Sequence, residues 1–266
     1  MARSSETRLR LSDKLRAEIL QKLADSDTVA ILLGGSFARG EETANSDVDL
    51  LVFRRASESR LGENRYFRST TEDRLVTWSP TTIARELERM DHPKSAIWVV
   101  PGIRQAVVLF DLDGSITKVK SAADSFRWDT LVSLGQNYAS EALAGLAEEV
   151  AKLVAGLEQR DAFSVGNALN GLESGLSQAV AVARGILIET ENRWLRLVED
   201  SVGFDTPWSH AHRQMMGIEG ESPTTIWGRA EAGLRCYLAT ASLFEGFLRP
   251  EDLRVVDLAR SQIERH

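Results

Sequence analysis

Two short segments of this 266-residue chain carry side chains suited to chemistry on phosphate. The first is Gly34-Gly35-Ser36, directly after the apolar run Val29-Ala30-Ile31-Leu32-Leu33. Glycines there let the backbone turn sharply and approach a ligand closely. A short helix starting at Ser36 adds unpaired amide donors and the positive end of a dipole, so a triphosphate would be held by backbone groups and the Ser36 hydroxyl. The second segment is Ser46-Asp47-Val48-Asp49-Leu50, two carboxylates two residues apart where an apolar run from Val48 to Phe53 begins. Alternation along a strand places both on one face. The pair repels itself and makes poor core material, but it forms a hard-oxygen site suited to Mg²⁺ carrying substrate phosphates. In phosphoryl-type transfer to a hydroxyl, such ions neutralise phosphate charge and align the attacking and leaving oxygens. Taken singly, each segment also has a plain reading, a strand-ending turn and a solvent-facing strand end.

Together they say more. Gly35-Ser36, ten intervening residues, then Asp47-Val48-Asp49 resembles the signature of the DNA polymerase β-like nucleotidyltransferase superfamily. The wider context, Gly35-Ser36-Phe37-Ala38-Arg39-Gly40 and Ser46 to Leu50, looks like the small bacterial branch that holds minimal nucleotidyltransferases and antibiotic-modifying enzymes. The resemblance implies that Asp47 and Asp49 bind Mg²⁺ and that Gly35 and Ser36 hold the β- and γ-phosphates of a nucleoside triphosphate, with ATP the expected one. Arg39 would lie near the carboxylates or phosphates, or simply solvate its helix. The implied activity is Mg-dependent transfer of a nucleotidyl, expected to be adenylyl, group to a hydroxyl of a small molecule such as an aminoglycoside-like antibiotic. The alternatives are a nucleotidyltransferase-like antitoxin that modifies a protein partner and a nucleotide-binding protein without turnover.

Active members of the superfamily carry a third carboxylate on a neighbouring strand. The natural strand here, Arg74-Leu75-Val76-Thr77-Trp78, has no acid, and Glu72 and Asp73 precede it in a turn. Asp111, ending Val107-Val108-Leu109-Phe110, is the next choice, against a hairpin turn over Asp111-Leu112-Asp113-Gly114 into Ser115 to Val119. Glu141 and Glu173 in the second half are further options. Residues 107–114 also resemble the first motif of haloacid dehalogenase-type phosphatases, but the helical chain that follows lacks the repeated strand-helix units of that fold. His210-Ala211-His212 has no third ligand at clear spacing. The six tryptophans are scattered and read as packing, with Trp208 a candidate for an acceptor pocket.

The elements that must position these residues are legible as patterns. Leu15, Ile19, Leu20 and Leu23 follow Ser12 at helical spacing. Strands are expected at Val29–Leu33, Val48–Phe53, Leu75–Trp78, Ile97–Val100 and Ala106–Phe110, with a helix over Ile83–Met90. From Trp128 the apolar period is helical, through Leu143, Leu146, Val150, Leu153 and Leu157 and then Leu169, Leu172, Leu176 and Val180. Loops are expected at Asp205–Pro207 and Glu219–Pro223, and final helices at Thr225–Phe247 and Pro250–Glu264. The fold class is α+β, a mixed-sheet nucleotidyltransferase domain (1–120) followed by an all-α bundle (121–266) that by resemblance binds the acceptor.

Charge is split along the chain. Residues 1–120 hold 18 acids and 19 bases, whereas 121–266 hold 21 acids and 13 bases, so the second half carries the whole excess behind the net charge of −7. An acidic half argues against nucleic acid as acceptor and suits a cationic one. The absence of a long apolar run, the polar start and the single Cys236, in apolar surroundings, are expected of a cytoplasmic protein with no membrane span and no disulfide.

Overall fold

The computed structural model describes residues 11–55, 61–219 and 225–266. The chain divides into two compact units, residues 1–127 and 128–266. Unit 1 begins with α1 (Asp13–Leu23), whose N-terminus is capped by Ser12, the hydroxyl accepting from Leu15 N at 3.1 Å. β1 (Thr28–Leu33) is buried at every residue. A short helix α2 (Gly35–Arg39), β2 (Val48–Arg54), β3 (Arg65–Arg68) and β4 (Leu75–Thr81) follow, then α3 (Ile83–Met90), α4 (Pro93–Gln105), β5 (Val107–Asp111) and α5 (Ile116–Ser125). The five strands form one mixed sheet in the order β3-β4-β2-β1-β5. β2 is central, β1 is antiparallel to β2 and β5, and β2 and β4 run parallel.

Period-two alternation sorts the sheet into two faces. Leu15, Ile19 and Leu23 of α1 pack with Ile31, Leu33, Val48, Leu50, Val52 and Val76 in one buried cluster. The intervening positions Asp49, Leu51 and Thr77 therefore stand on the opposite face, the one on which the acids can meet a ligand. A further tie fixes the β3–β4 hairpin to α1. Glu18 accepts from Ser69 Oγ at 2.6 Å, Thr70 N at 3.0 Å and Thr71 N at 3.2 Å. The hairpin turn thus has its orphan amides satisfied by one carboxylate.

Two sequence expectations fail in this unit. Ile97–Val100 is not a strand but the middle of α4. Its β-branched run favours a strand locally, yet Pro93 starts a helix well and burial of Ala96, Ile97, Val100 and Ile103 outweighs propensity. Ser115–Val119 is likewise the start of α5, and no hairpin follows Asp111. The composition change at residue 120 falls inside α5, which belongs to unit 1. Lys120 Nζ donates to the carbonyls of Ile103, Arg104 and Ala106 at 2.7 to 3.0 Å, satisfying the C-terminal end of α4. Arg104 returns the favour to Ala123 O and Phe126 O. The edge strand β3, Arg-Tyr-Phe-Arg, carries no apolar run, because only Phe67 of its four residues packs on the core and the exposed alternate positions are Tyr66 and Arg68.

Among its described residues unit 2 is built of helices and the loops that join them. A 3-10 turn (Trp128–Leu131) leads into α6 (Val132–Gly145), α7 (Ala147–Gln159), α8 (Ala162–Arg184), α9 (Glu191–Val202), α10 (Pro207–Met216), α11 (Ile226–Phe244) and α12 (Pro250–Arg265). The loop expected at Glu219–Pro223 lies, beyond Glu219, outside the described residues. Leu169, Leu172, Leu176 and Val180 of α8 are buried, and α8 packs against α6, α7 and α11. No described helix is long and apolar enough to cross a membrane. His210 and His212 do not converge. His210 Nδ1 lies 2.8 Å from Glu219, while buried His212 bridges Ser177 Oγ (2.9 Å) and Glu199 Oε1 (3.1 Å). Trp208 is buried too, stacked on His212 and donating to Thr240 Oγ1 at 2.8 Å, so it lines no pocket. Cys236 is fully buried, and that burial pushes its thiol up.

The Glu18 clamp predicts a pH dependence. The Ser69 hydroxyl first, then the Thr70 amide, hold the Glu18 carboxyl well below the usual carboxylate range. A group depressed on folding contributes stability that is complete above its unfolded value of about 4.3 and is lost as pH falls below it. Glu18→Gln should lower Tm at pH 7 and show a smaller further drop than wild type between about pH 5 and pH 3, measured by thermal melts across that range.

Candidate active site

The turn after β1 is built around one carboxylate. Gly34 N donates to Asp49 O at 2.8 Å, drawing the turn against β2. Gly35 then adopts φ +59°, the left-handed region that other residues rarely enter. A Cβ at Gly35 would stand 1.9 Å from Asp49 Oδ2, so only glycine fits on two independent grounds. From there α2 runs to Arg39 and stops at Gly40, also left-handed.

Asp49 is held from its other side by β4. The parallel register sets Asp49 opposite Thr77, and Thr77 Oγ1 donates to Asp49 Oδ1 at 2.9 Å. Asp47 lies just before β2, and both acids flank Val48, whose side chain is buried in the α1 core. Alternation therefore turns the two half-buried carboxylates away from that core. The loop that delivers Asp47 is itself clamped. Arg74 Nη1 donates to the carbonyls of Thr43, Ala44 and Ser46 at 3.3, 3.2 and 2.9 Å, and its guanidinium covers the Phe37 ring at 5.2 Å. Beside Asp49 and Gly34 opens a cavity of about 270 Å³ between the sheet and helices α3 and α4. Its polar wall includes Asn64, Thr77, Ser79, Glu86 and Arg89.

A strand, a glycine turn with a short helix and two carboxylates, Asp47 just before β2 and Asp49 on it, are thus assembled at one sheet end. The family model described as "nucleotidyltransferase domain" matches residues 13–101. Unit 1 contains a nucleotidyltransferase domain of the DNA polymerase β-like superfamily. Such a domain implies a nucleoside triphosphate as substrate. Among solved structures the chain is similar to a nucleotidyltransferase-like protein from Exiguobacterium sibiricum 255-15, at 15% identity and a TM-score of 0.48, over 87% of this chain and 73% of that one. No curated protein matches the chain.

Within the nucleotidyltransferase domain the structure brings Gly35, Ser36, Asp47 and Asp49 to one place and leaves Asp111 elsewhere. On the β1–β5 ladder Leu33, next to the turn, faces Val107, whereas Asp111 faces Ala30. Three or four residues at roughly 3.3 Å each put Asp111 about 10 Å or more down the strand. Its carboxylate accepts from Gly114 N at 3.1 Å, closing a turn into α5, and so it is not the third acid. The phosphatase resemblance ends there too, since β5 is an antiparallel edge strand. Arg39 ion-pairs with Glu41 at 2.8 Å. Glu72 pairs with Arg74 and Asp73 with Arg68 in the β3–β4 turn, and Glu141 and Glu173 belong to unit 2. Among the described residues no group of three or more acidic, His or Cys side chains is gathered for a metal. Sequence reasoning missed Thr77 and Arg74. A hydroxyl in an acid-free strand was the available sign of the first, and nothing in the spacing revealed the second.

Two outcomes test this geometry. Gly35→Ala should cost at least about 1–2 kcal/mol for the left-handed backbone alone, and the overlap with Asp49 adds to it; chemical denaturation measures the loss. Thr77→Val should weaken binding of a nucleoside triphosphate while Thr77→Ser, which keeps the hydroxyl, restores it; isothermal titration separates positioning from packing.

Proposed function

We propose that this domain binds a nucleoside triphosphate, expected to be ATP, together with Mg²⁺, and transfers the nucleotidyl group to an oxygen of a small molecule. The observation that supports this most is the Asp49 carboxylate, fixed between a left-handed glycine and Thr77, with Asp47 beside it. The donor set fits the metal. Mg²⁺ is commonly held by one or two carboxylates with substrate phosphates and waters completing its shell, so two acids suffice. Asp47 and Asp49 would hold it, and when bound it supplies neutralisation of phosphate charge.

The chain's own residues do the rest. The Gly35 and Ser36 amides and the Ser36 hydroxyl would receive the outer phosphates. Thr77 keeps Asp49 in one rotamer, and Arg74 keeps the loop carrying Asp47 in place. Holding the α-phosphorus in line with an incoming oxygen is most of what such a transfer requires. Unit 2 is the proposed acceptor-binding part. Its excess of acids suits a cationic group somewhere on the acceptor.

A second reading, nucleotide binding without turnover, is favoured by one observation: the position facing Asp49 on β4 is Thr77, where a third carboxylate would complete a catalytic set. Incubation with Mg²⁺ and α-labelled ATP, alone and with small-molecule acceptors or a protein extract, separates the readings. Label on a small molecule with pyrophosphate release, lowered about a hundredfold or more by Asp47→Asn or Asp49→Asn, supports transfer. Binding of Mg-ATP with no release under any condition supports the second reading, and label on one protein supports an antitoxin-like modifier.

A further inference from the structure

Resting on the transfer reading, we propose that the acceptor is an oxyanion, a carboxylate or a phosphate monoester, bound in the cavity beside Asp49 by Arg89. Two independent observations lead there. The first concerns the proton. An alcohol is a weak nucleophile until its proton is removed, and a group within hydrogen-bond reach must take it. On β4 that place is filled by Thr77, whose hydroxyl donates to Asp49 and cannot act as a base at neutral pH. The other acid on the cavity wall, Glu86, is committed. It is 1% exposed, accepts from Thr81 Oγ1 at 2.5 Å, and receives Arg89 Nη1 on both oxygens at 3.1 and 3.2 Å. A carboxylate is already ionised at pH 7 and a phosphate monoester largely so, with nothing to remove.

The second observation is what the wall offers. Arg89 spends only Nη1 on Glu86, and that buried carboxylate holds the guanidinium while its remaining N–H groups stay as donors. Guanidinium forks match planar carboxylates and phosphates. Asn64 accepts from Ser79 Oγ through its carbonyl oxygen, which leaves its amide N–H groups as donors on the same wall. Room for the rest of the acceptor is present at Gly102 of α4, where a Cβ would meet nothing within 4 Å.

The step balances without proton transfer. An acceptor oxygen forms a bond to the α-phosphorus, the bond from that phosphorus to the bridging oxygen breaks, and its electron pair leaves with pyrophosphate. A carboxylate yields a mixed acyl-nucleotide anhydride; a phosphate monoester yields a substituted nucleoside diphosphate.

The test supplies the full chain with Mg²⁺ and α-labelled ATP and three acceptor pools: amino acids with short aliphatic carboxylates, hexose phosphates, and neutral and amino sugars. Mg-ATP binding is measured in parallel. Label entering either acidic pool is expected, with hydroxylamine trapping the product only if the carboxylate source is right. Arg89→Gln should raise the acceptor KM by tenfold or more, Arg89→Lys should recover part of it, and the KM for ATP should stay unchanged. Because Arg89→Gln leaves Glu86 without its cation, Glu86→Gln/Arg89→Gln serves as the charge-balanced variant. Independently of turnover, the active acidic pool should raise the Tm of the metal-free wild type and not of that double variant. Label entering only the sugars, or no label although Mg-ATP binds, overturns the oxyanion acceptor and leaves nucleotide binding standing. Absence of Mg-ATP binding defeats both.

Discussion

Everything at the site depends on the close approach between the Gly34–Gly35 turn and Asp49. A charged oxygen standing where a side chain would otherwise be tolerates only a glycine, and that glycine must be left-handed to complete the turn. The Gly34 amide on the Asp49 carbonyl and the Thr77 hydroxyl on its carboxylate fix the same residue from backbone and side chain. The sheet register supplies all of this, since β1, β2 and β4 must align to within one residue for the three groups to meet. The α1 core enforces that register: a one-residue slip of β2 would exchange Val48 and Leu50 for Asp47 and Asp49 in a wholly apolar cluster.

Much of this was legible in the sequence because it is local. Glycines at a strand end, acids alternating with apolar residues and Ser12 ahead of a helical period each report a constraint acting within a few residues. The helix over Ile83–Met90 and the change of period at Trp128 were readable for the same reason. What escaped depends on long-range pairing. Thr77 matters only because β4 lies parallel to β2, and Arg74 only because its side chain reaches three carbonyls of a loop about thirty residues earlier. Ile97–Val100 misled through a real local preference that burial in α4 overrode. Asp111 misled because a strand-end aspartate reads alike at either end of a sheet, and only the antiparallel pairing with β1 says which end it occupies.

Unit 2 follows a different rule. Its interior is mostly aliphatic, yet it encloses a polar chain in which Ser177, His212 and Glu199 bond one another and Trp208 covers the imidazole. The arrangement imitates a nucleophile-base-acid relay, but Ser177 and His212 are fully buried and no substrate reaches them. Burial foremost pushes the His212 pKa down, against the opposing pull of Glu199, and both ring nitrogens are engaged. The chemistry therefore stays with the nucleotidyltransferase domain.

The most direct measurement of the central claim replaces Mg²⁺ by Mn²⁺, whose unpaired electrons broaden nearby nuclear resonances, in an amide spectrum recorded with and without ATP. Selective loss of the Gly34, Gly35, Ser36, Asp49 and Thr77 signals on adding Mn-ATP, abolished in Asp49→Asn, is the expected result. Broadening centred on any other part of the chain, or unchanged by that substitution, would contradict a site organised around the Asp49 carboxylate.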